Sequence, residues 1–184
     1  MSSLTGVLRR EHELIGRALD VSDEFAQRLE RHQPVPAASL SALLQFLSFF
    51  AHRSHRDKEE ELLFPALREK GVYEGPGCIG VLLAEHEAGA GAFQQMVNMS
   101  DAYERGNVEA GVRWAEASRS YAQALRQHMR REEDVLFQNA ERLLNDAEQQ
   151  ELAAQFERID GRAHRAGMDE IFEQFESVAQ QAGK

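Results

Sequence analysis

At 184 residues the chain suits one domain with a sizeable core and is cramped for two. Hydrophobic residues make up 42% and charged residues 28%, ordinary values for a soluble globular protein. A formal net charge of −10 argues against a nucleic-acid surface, which needs clustered Lys and Arg, and against binding an anionic membrane. Cys78 is the one cysteine, so no intrachain disulfide forms and a thiolate or iron–sulfur site is not expected. Met1 to Arg10 lacks an apolar signal core and no run approaches a membrane span, so a reducing cytoplasm is the expected location.

Only four prolines and long Glu/Gln/Ala/Leu/Arg-rich stretches predict helix throughout. In chain order, a first helix is expected near 4–31, stopped by Gln33-Pro34-Val35-Pro36. A second runs near 37–70, with Leu40, Leu43, Leu44, Leu47 and Phe50 at three- and four-residue spacing, and ends in the glycine-rich stretch Gly71 to Gly80. A third runs near 77–104 and turns at Glu104-Arg105-Gly106-Asn107; a fourth runs near 108–144 and stops at Asn145-Asp146. Short connections between long helices favour antiparallel neighbours. The expected fold is therefore all-α, an up-down-up-down antiparallel four-helix bundle over 1–146. A further helix near 147–181 carries Leu152, Phe156, Ile159, Ile171, Phe172 and Phe175, with Gly161 and Gly167 interrupting. As an extension over 147–184 it should pack outside the bundle, as a lid or a homodimer surface, and supply no ligand.

An internal repeat is the most informative feature. His55-Arg56-Asp57-Lys58-Glu59-Glu60-Glu61-Leu62-Leu63-Phe64 is echoed by His128-Met129-Arg130-Arg131-Glu132-Glu133-Asp134-Val135-Leu136-Phe137. Glu11-His12-Glu13 is echoed by Glu85-His86-Glu87. The step from His12 to His55 is 43 residues and that from His86 to His128 is 42, so the second helical hairpin repeats the first with its histidines in register.

Residues four apart share one face of a helix, about 6 Å apart along its axis. His55 with Glu59, and His128 with Glu132, each present an imidazole and a carboxylate to one side, and beyond them that face continues as core. A buried carboxylate beside imidazole is costly unless a cation compensates. A divalent metal does so, and this donor set suits iron, zinc or manganese. Four histidines and two carboxylates suffice for two ions. A single His-x-x-x-Glu in so Glu-rich a chain is usually a solvated surface pair; two in register, with two matched histidines, point to a site.

On the residues Glu11-His12-Glu13, His55 to Pro65, Glu85-His86-Glu87 and His128 to Phe137, the sequence resembles the hemerythrin family in its bacterial form, a histidine–histidine–glutamate cation-binding domain. The resemblance covers residues 4 to 144 and implies a carboxylate-bridged di-iron centre, oxo- or hydroxo-bridged, with zinc or manganese as substitutes. It implies that the centre binds oxygen, nitric oxide or peroxide. Carried over, His12 and His55 hold one iron, His86 and His128 the other, and Glu59 and Glu132 bridge them. Oxygen-carrying members add a fifth histidine one turn beyond that of the third helix. Here that place is Ala90, with Gly16 as its repeat counterpart, which leaves an open position and argues against simple oxygen carriage.

Other residues carry weaker signals. His52, one turn before His55, is a fifth ligand, a pocket residue or an outer partner, the last being favoured. Tyr121 is read as a core aromatic with its hydroxyl satisfied, although it could point to the same end of the bundle. His32 should lie on the surface beside Pro34, and His164 outside the site. Lys58 and Arg131 read as solvated charges; Glu60, Glu61, Glu133 and Asp134 should face water, and Phe64 and Phe137 should pack the core. The leading functional expectation is a non-haem di-iron protein acting in sensing, storage or detoxification. Catalase-like or nitric-oxide-handling turnover at the same centre, and a metal-free helical interaction module, stand as alternatives, and enzyme status is left open. A ferritin-like oxidase fits poorly, since it uses Glu-x-x-His, the reverse order at shorter spacing.

Overall fold

The computed structural model describes residues 3–72 and 79–182, and these are all-helical. Residues 73–78 lie outside the described residues. They include Cys78, most of the glycine-rich connection, and the expected start of the third helix at 77.

Helix α1 (Leu4–Glu30) starts at Ser3, whose hydroxyl accepts from Gly6 N at 3.1 Å, and ends before His32, which turns the chain at φ +56°. Helix α2 spans residues 37–69 and enters after Pro36. Helix α3 (Ile79–Glu104) passes through Gly106, at φ +91°, into α4, which spans residues 108–143 with Asn107 capping Ala110 N. Gly111 on α4 fills a close approach: a Cβ there would lie 3.0 Å from the Tyr103 ring and 3.1 Å from Leu29. A reciprocal capping box between Asn145 and Glu148 opens α5 (Asp146–Arg165). The expected single end helix is two. Gly167, at φ +96°, breaks it before α6 (Met168–Ala182), whereas Gly161 stays inside α5.

Two wide i→i+5 turns interrupt the ladder at matched places of the repeat, Glu59–Leu63 in α2 and Glu132–Leu136 in α4; a longer one covers Leu47–His55. Sequence periodicity alone does not announce them. They shift the buried face by part of a turn, so Leu63 and Phe64, and Leu136 and Phe137, are buried while Leu62 and Val135 are only partly so.

Two apolar clusters form the core, one around Leu19, Phe25, Phe46, Trp114 and Tyr121, the other around Leu8, Phe64, Leu82, Phe137 and Phe156. The four long helices each cross from one cluster to the other. Along α1 the order is Leu8, His12, Ile15; along α2 it is Phe50, His55, Leu63; α3 and α4 repeat the alternation. A layer of His and Glu thus lies between two apolar slabs, an arrangement consistent with a helical bundle. Helix α5 adds Leu152 and Phe156 to one cluster, and α6 adds Phe175, stacked on Phe46 at 4.2 Å between centroids, to the other. Among the described residues, no helix is long and apolar enough to cross a membrane.

Candidate metal centre

The polar layer contains two groups of convergent donors. His12, His55, Glu59 and Glu132 form one; Glu59, His86, His128 and Glu132 form the other. Within each group one ligand atom per residue lies within 4.8 Å of every other, and both groups share the two carboxylates. All six sequence-expected site residues therefore come together. None of α5 or α6 enters either group. Glu59 and Glu132 are fully buried, and His12, His55 and His128 nearly so.

The outward nitrogen of each imidazole is anchored to a carboxylate, in a pattern that the repeat reproduces. His55 Nδ1 lies 2.7 Å from Glu11, and its counterpart His128 Nδ1 lies 2.9 Å from Glu85. His12 Nδ1 lies 2.7 Å from Glu133, and its counterpart His86 Nδ1 lies 2.6 Å from Glu60. Each carboxylate accepts from an Nδ1–H, which aims Nε2 inward and makes it the ligating atom of the ring once any proton there is released. The rings are also wedged: Phe137 stacks on His12 at 5.3 Å and Phe64 on His86 at 6.0 Å.

Inside this shell the donors converge on one another. His12 Nε2, His55 Nε2 and all four oxygens of Glu59 and Glu132 are buried without a hydrogen-bond partner. Imidazole nitrogens approach those oxygens at 2.9–3.4 Å but off the line that a hydrogen bond needs. His86 Nε2 and His128 Nε2 face each other at 3.0 Å, two like atoms with one proton at most between them. Orphaned buried acceptors on this scale are destabilising in a protein interior. Cations among them remove the conflict, and the donor set of neutral imidazole and shared carboxylate fits a pair of divalent metals.

The electrostatics agree. Burial works against a charged His55, yet Glu59, Glu11 and Glu132 outweigh it and lift its pKa to about 9. Burial is likewise overcome at His128, by Glu132, Glu59 and Glu85, again to about 9. Glu132 is held well below the usual carboxylate range, its burial outweighed by His128 and His12. Without metal, protons stand in for the missing positive charge.

Several charged residues behave otherwise than the sequence suggests. Lys58, expected in solvent, is fully buried; its ammonium donates to Glu11 and to Asp160 of α5, the latter at 2.5 Å. Arg131 donates to Glu85 and is only a quarter exposed. Glu60 and Glu133, expected to face water, are partly buried and hold His86 and His12. Burial raises the Glu60 carboxyl, but hydrogen bonds from Arg56 and His86 prevail and lower it. The signal that could have found these residues is in the repeat, where Glu11 matches Glu85, Lys58 matches Arg131 and Glu60 matches Glu133. Glu61 and Asp134 do face solvent.

His52 is in neither donor group. Its Nε2 lies 2.8 Å from the Tyr121 hydroxyl, and its ring packs on Phe93. Burial, with Arg56 and His86 nearby, depresses its pKa to about 4 and keeps it neutral. Tyr121 is buried with its hydroxyl satisfied by that contact. His32 is exposed, and His164 is exposed with Asp169 at 2.7 Å and belongs to neither group. Ala90 is partly buried.

Comparison with known proteins follows the same residues. An uncharacterized protein of Mycobacterium tuberculosis is 24% identical over 177 residues, covering 96% of this chain and 69% of its own length. An uncharacterized protein of Mycobacterium bovis matches to the same extent. No solved structure matches. The family model described as Hemerythrin HHE cation binding domain matches residues 3–140, which hold all six convergent donors. The chain belongs to the hemerythrin family, as a member with an HHE cation-binding domain.

Proposed function

We propose that this protein is a non-haem di-iron protein that binds oxygen, nitric oxide or peroxide, in sensing, storage or detoxification. His12 and His55 would hold one iron and His86 and His128 the other, with Glu59 and Glu132 shared between the two groups. The observation that carries the reading is the set of buried, partnerless Nε2 and carboxylate atoms converging on two shared centres. The alternating order in which the long helices cross the core clusters supports an up-down-up-down bundle over 1–146, with 147–184 as an extension laid against it.

When bound, the ferrous pair supplies an electron-rich centre with a position open to a small ligand. The chain's residues do the rest. Glu11, Glu60, Glu85 and Glu133 fix the imidazoles in one tautomer, Phe64 and Phe137 wedge two of the rings, and the two apolar slabs flank the polar layer. Ala90 supplies no fifth imidazole, which suits a reactive centre better than a carrier.

Protein purified without chelator after iron supplementation should contain about two irons per chain and show a carboxylate-bridged di-iron visible spectrum. Absence of bound metal would overturn the proposal in favour of a helical interaction module. A second reading, catalase-like or nitric-oxide-handling turnover, draws support from the His52–Tyr121 pair beside the imidazoles. Steady-state consumption of hydrogen peroxide by iron-loaded protein decides between them.

A further inference from the structure

Beside the centre lies a cavity of about 180 Å³ that reaches His55, His86 and His128. Its walls are mostly apolar: Ile15, Leu125 and Met129 on one side, Ala88, Gly89 and Ala92 on the other. The repeat explains the opening. With His86 in register with His12, Gly89 occupies the place that buried Ile15 holds in the first hairpin, and Ala88 that of Leu14. A Cβ added at Gly89 would meet nothing within 4 Å, so the missing side chain is not replaced by a neighbour.

Oxygen, nitric oxide and hydrogen peroxide are comparable to a water molecule, whose share of liquid volume is about 30 Å³. An engineered apolar cavity of about 150 Å³ takes benzene. The space here is thus several times that needed by the small ligands of the centre. Its polar lining comprises the imidazoles, Arg56, Glu85 and Gln127, and the pair formed by His52 and Tyr121. The Tyr121 hydroxyl and His52 Nε2 share one proton at 2.8 Å, and whichever of them donates, the phenol oxygen keeps an acceptor pair for an O–H inside the cavity.

We propose that this cavity binds a small organic molecule with an O–H head, an alcohol, a phenol or an organic hydroperoxide, whose compact apolar body has about six to eight non-hydrogen atoms. The body lies between Ile15 and Gly89, and the head lies at the Tyr121 end, where it also reaches the imidazoles. The inference deepens the function proposed above and rests on it only in taking those imidazoles as ligands.

The test uses the full chain, metal-free and iron-loaded, with 4-fluorobenzyl alcohol as a fluorine NMR probe. Both forms should bind it saturably. Gly89→Leu fills the cavity from a helical position that tolerates leucine, and should weaken binding at least about tenfold with unchanged metal content. Tyr121→Phe should weaken it less, with helicity by circular dichroism as the check on folding. Displacement of the probe by benzyl hydroperoxide identifies hydroperoxides as the class, and its failure to displace identifies alcohols and phenols. Displacement by equimolar hydrogen peroxide, absence of saturable binding, or equal binding by Gly89→Leu would overturn the proposal. Metal analysis of the same samples keeps the two readings apart. Two irons without probe binding sink only the cavity proposal, and probe binding without metal sinks only the function.

Discussion

Glu11→Gln separates positioning of a ligand from stability. Glu11 accepts from His55 Nδ1 at 2.7 Å with one oxygen and from the buried Lys58 ammonium with the other. A glutamine keeps the shape but has one acceptor, so it can serve one of the two. Loss of such an outer partner typically weakens metal affinity by about 10–100-fold, or about 1.4–2.8 kcal/mol. Only the ion on the His12–His55 side should feel it, because Glu85 serves the other half. Lys58 meanwhile keeps Asp160 alone, a partner two-fifths exposed. Breaking a buried pair costs about 3–5 kcal/mol, and the surviving partner argues for the lower end. For a chain of this size that is a fall of about 6–12 °C in Tm. The assays are iron titration against a competing chelator and thermal melts, with Glu13→Gln, exposed on the same helix, as the control. Adding Lys58→Met to Glu11→Gln should restore most of the stability and none of the affinity. Equal affinities for Glu11→Gln and Glu13→Gln, or recovery of affinity with the methionine, would refute the reasoning.

Four further outcomes are expected. Glu59→Ala or Glu132→Ala should lose at least one metal by elemental analysis, since each carboxylate belongs to both donor groups. Metal uptake at neutral pH should release about two protons, measurable in weak buffer, because His55 and His128 with pKa values of about 9 are charged before binding. The same raised values stabilise the metal-free fold fully below the ordinary 6.5, a contribution lost as pH rises through about 9; its Tm should fall over that interval, and the iron-loaded protein should lack this alkaline limb. Gly111→Ala should lower Tm by the equivalent of about 1–3 kcal/mol, because its Cβ would press on Tyr103 and Leu29.

What the sequence made legible was whatever depends on type and spacing. The four histidines and two glutamates converge because helix periodicity puts each pair on one face and the repeat aligns the halves. Charged neighbours were misjudged because helical phase alone cannot show what another helix brings near. Lys58 sits one residue before Glu59 and looks solvated until α5 covers it with Asp160. Glu60 and Glu133 look outward by phase, yet the wide turns that begin at Glu59 and Glu132 locally change that phase. The break at Gly167 was signalled by a glycine, but Gly161 gave the same signal and stayed helical, since only the former adopts positive φ.

Among the described residues, the contact between Lys58 and Asp160 has no counterpart in the repeat. Arg131, the counterpart, is partly solvated and is given no acid from the terminal helices by any observed ion pair. One half of the centre thus leans on a dehydrated ammonium, the other on a guanidinium that water can screen. Two chemically alike ions placed there would therefore sit in unequal surroundings, one of them backed by a cation that solvent does not reach.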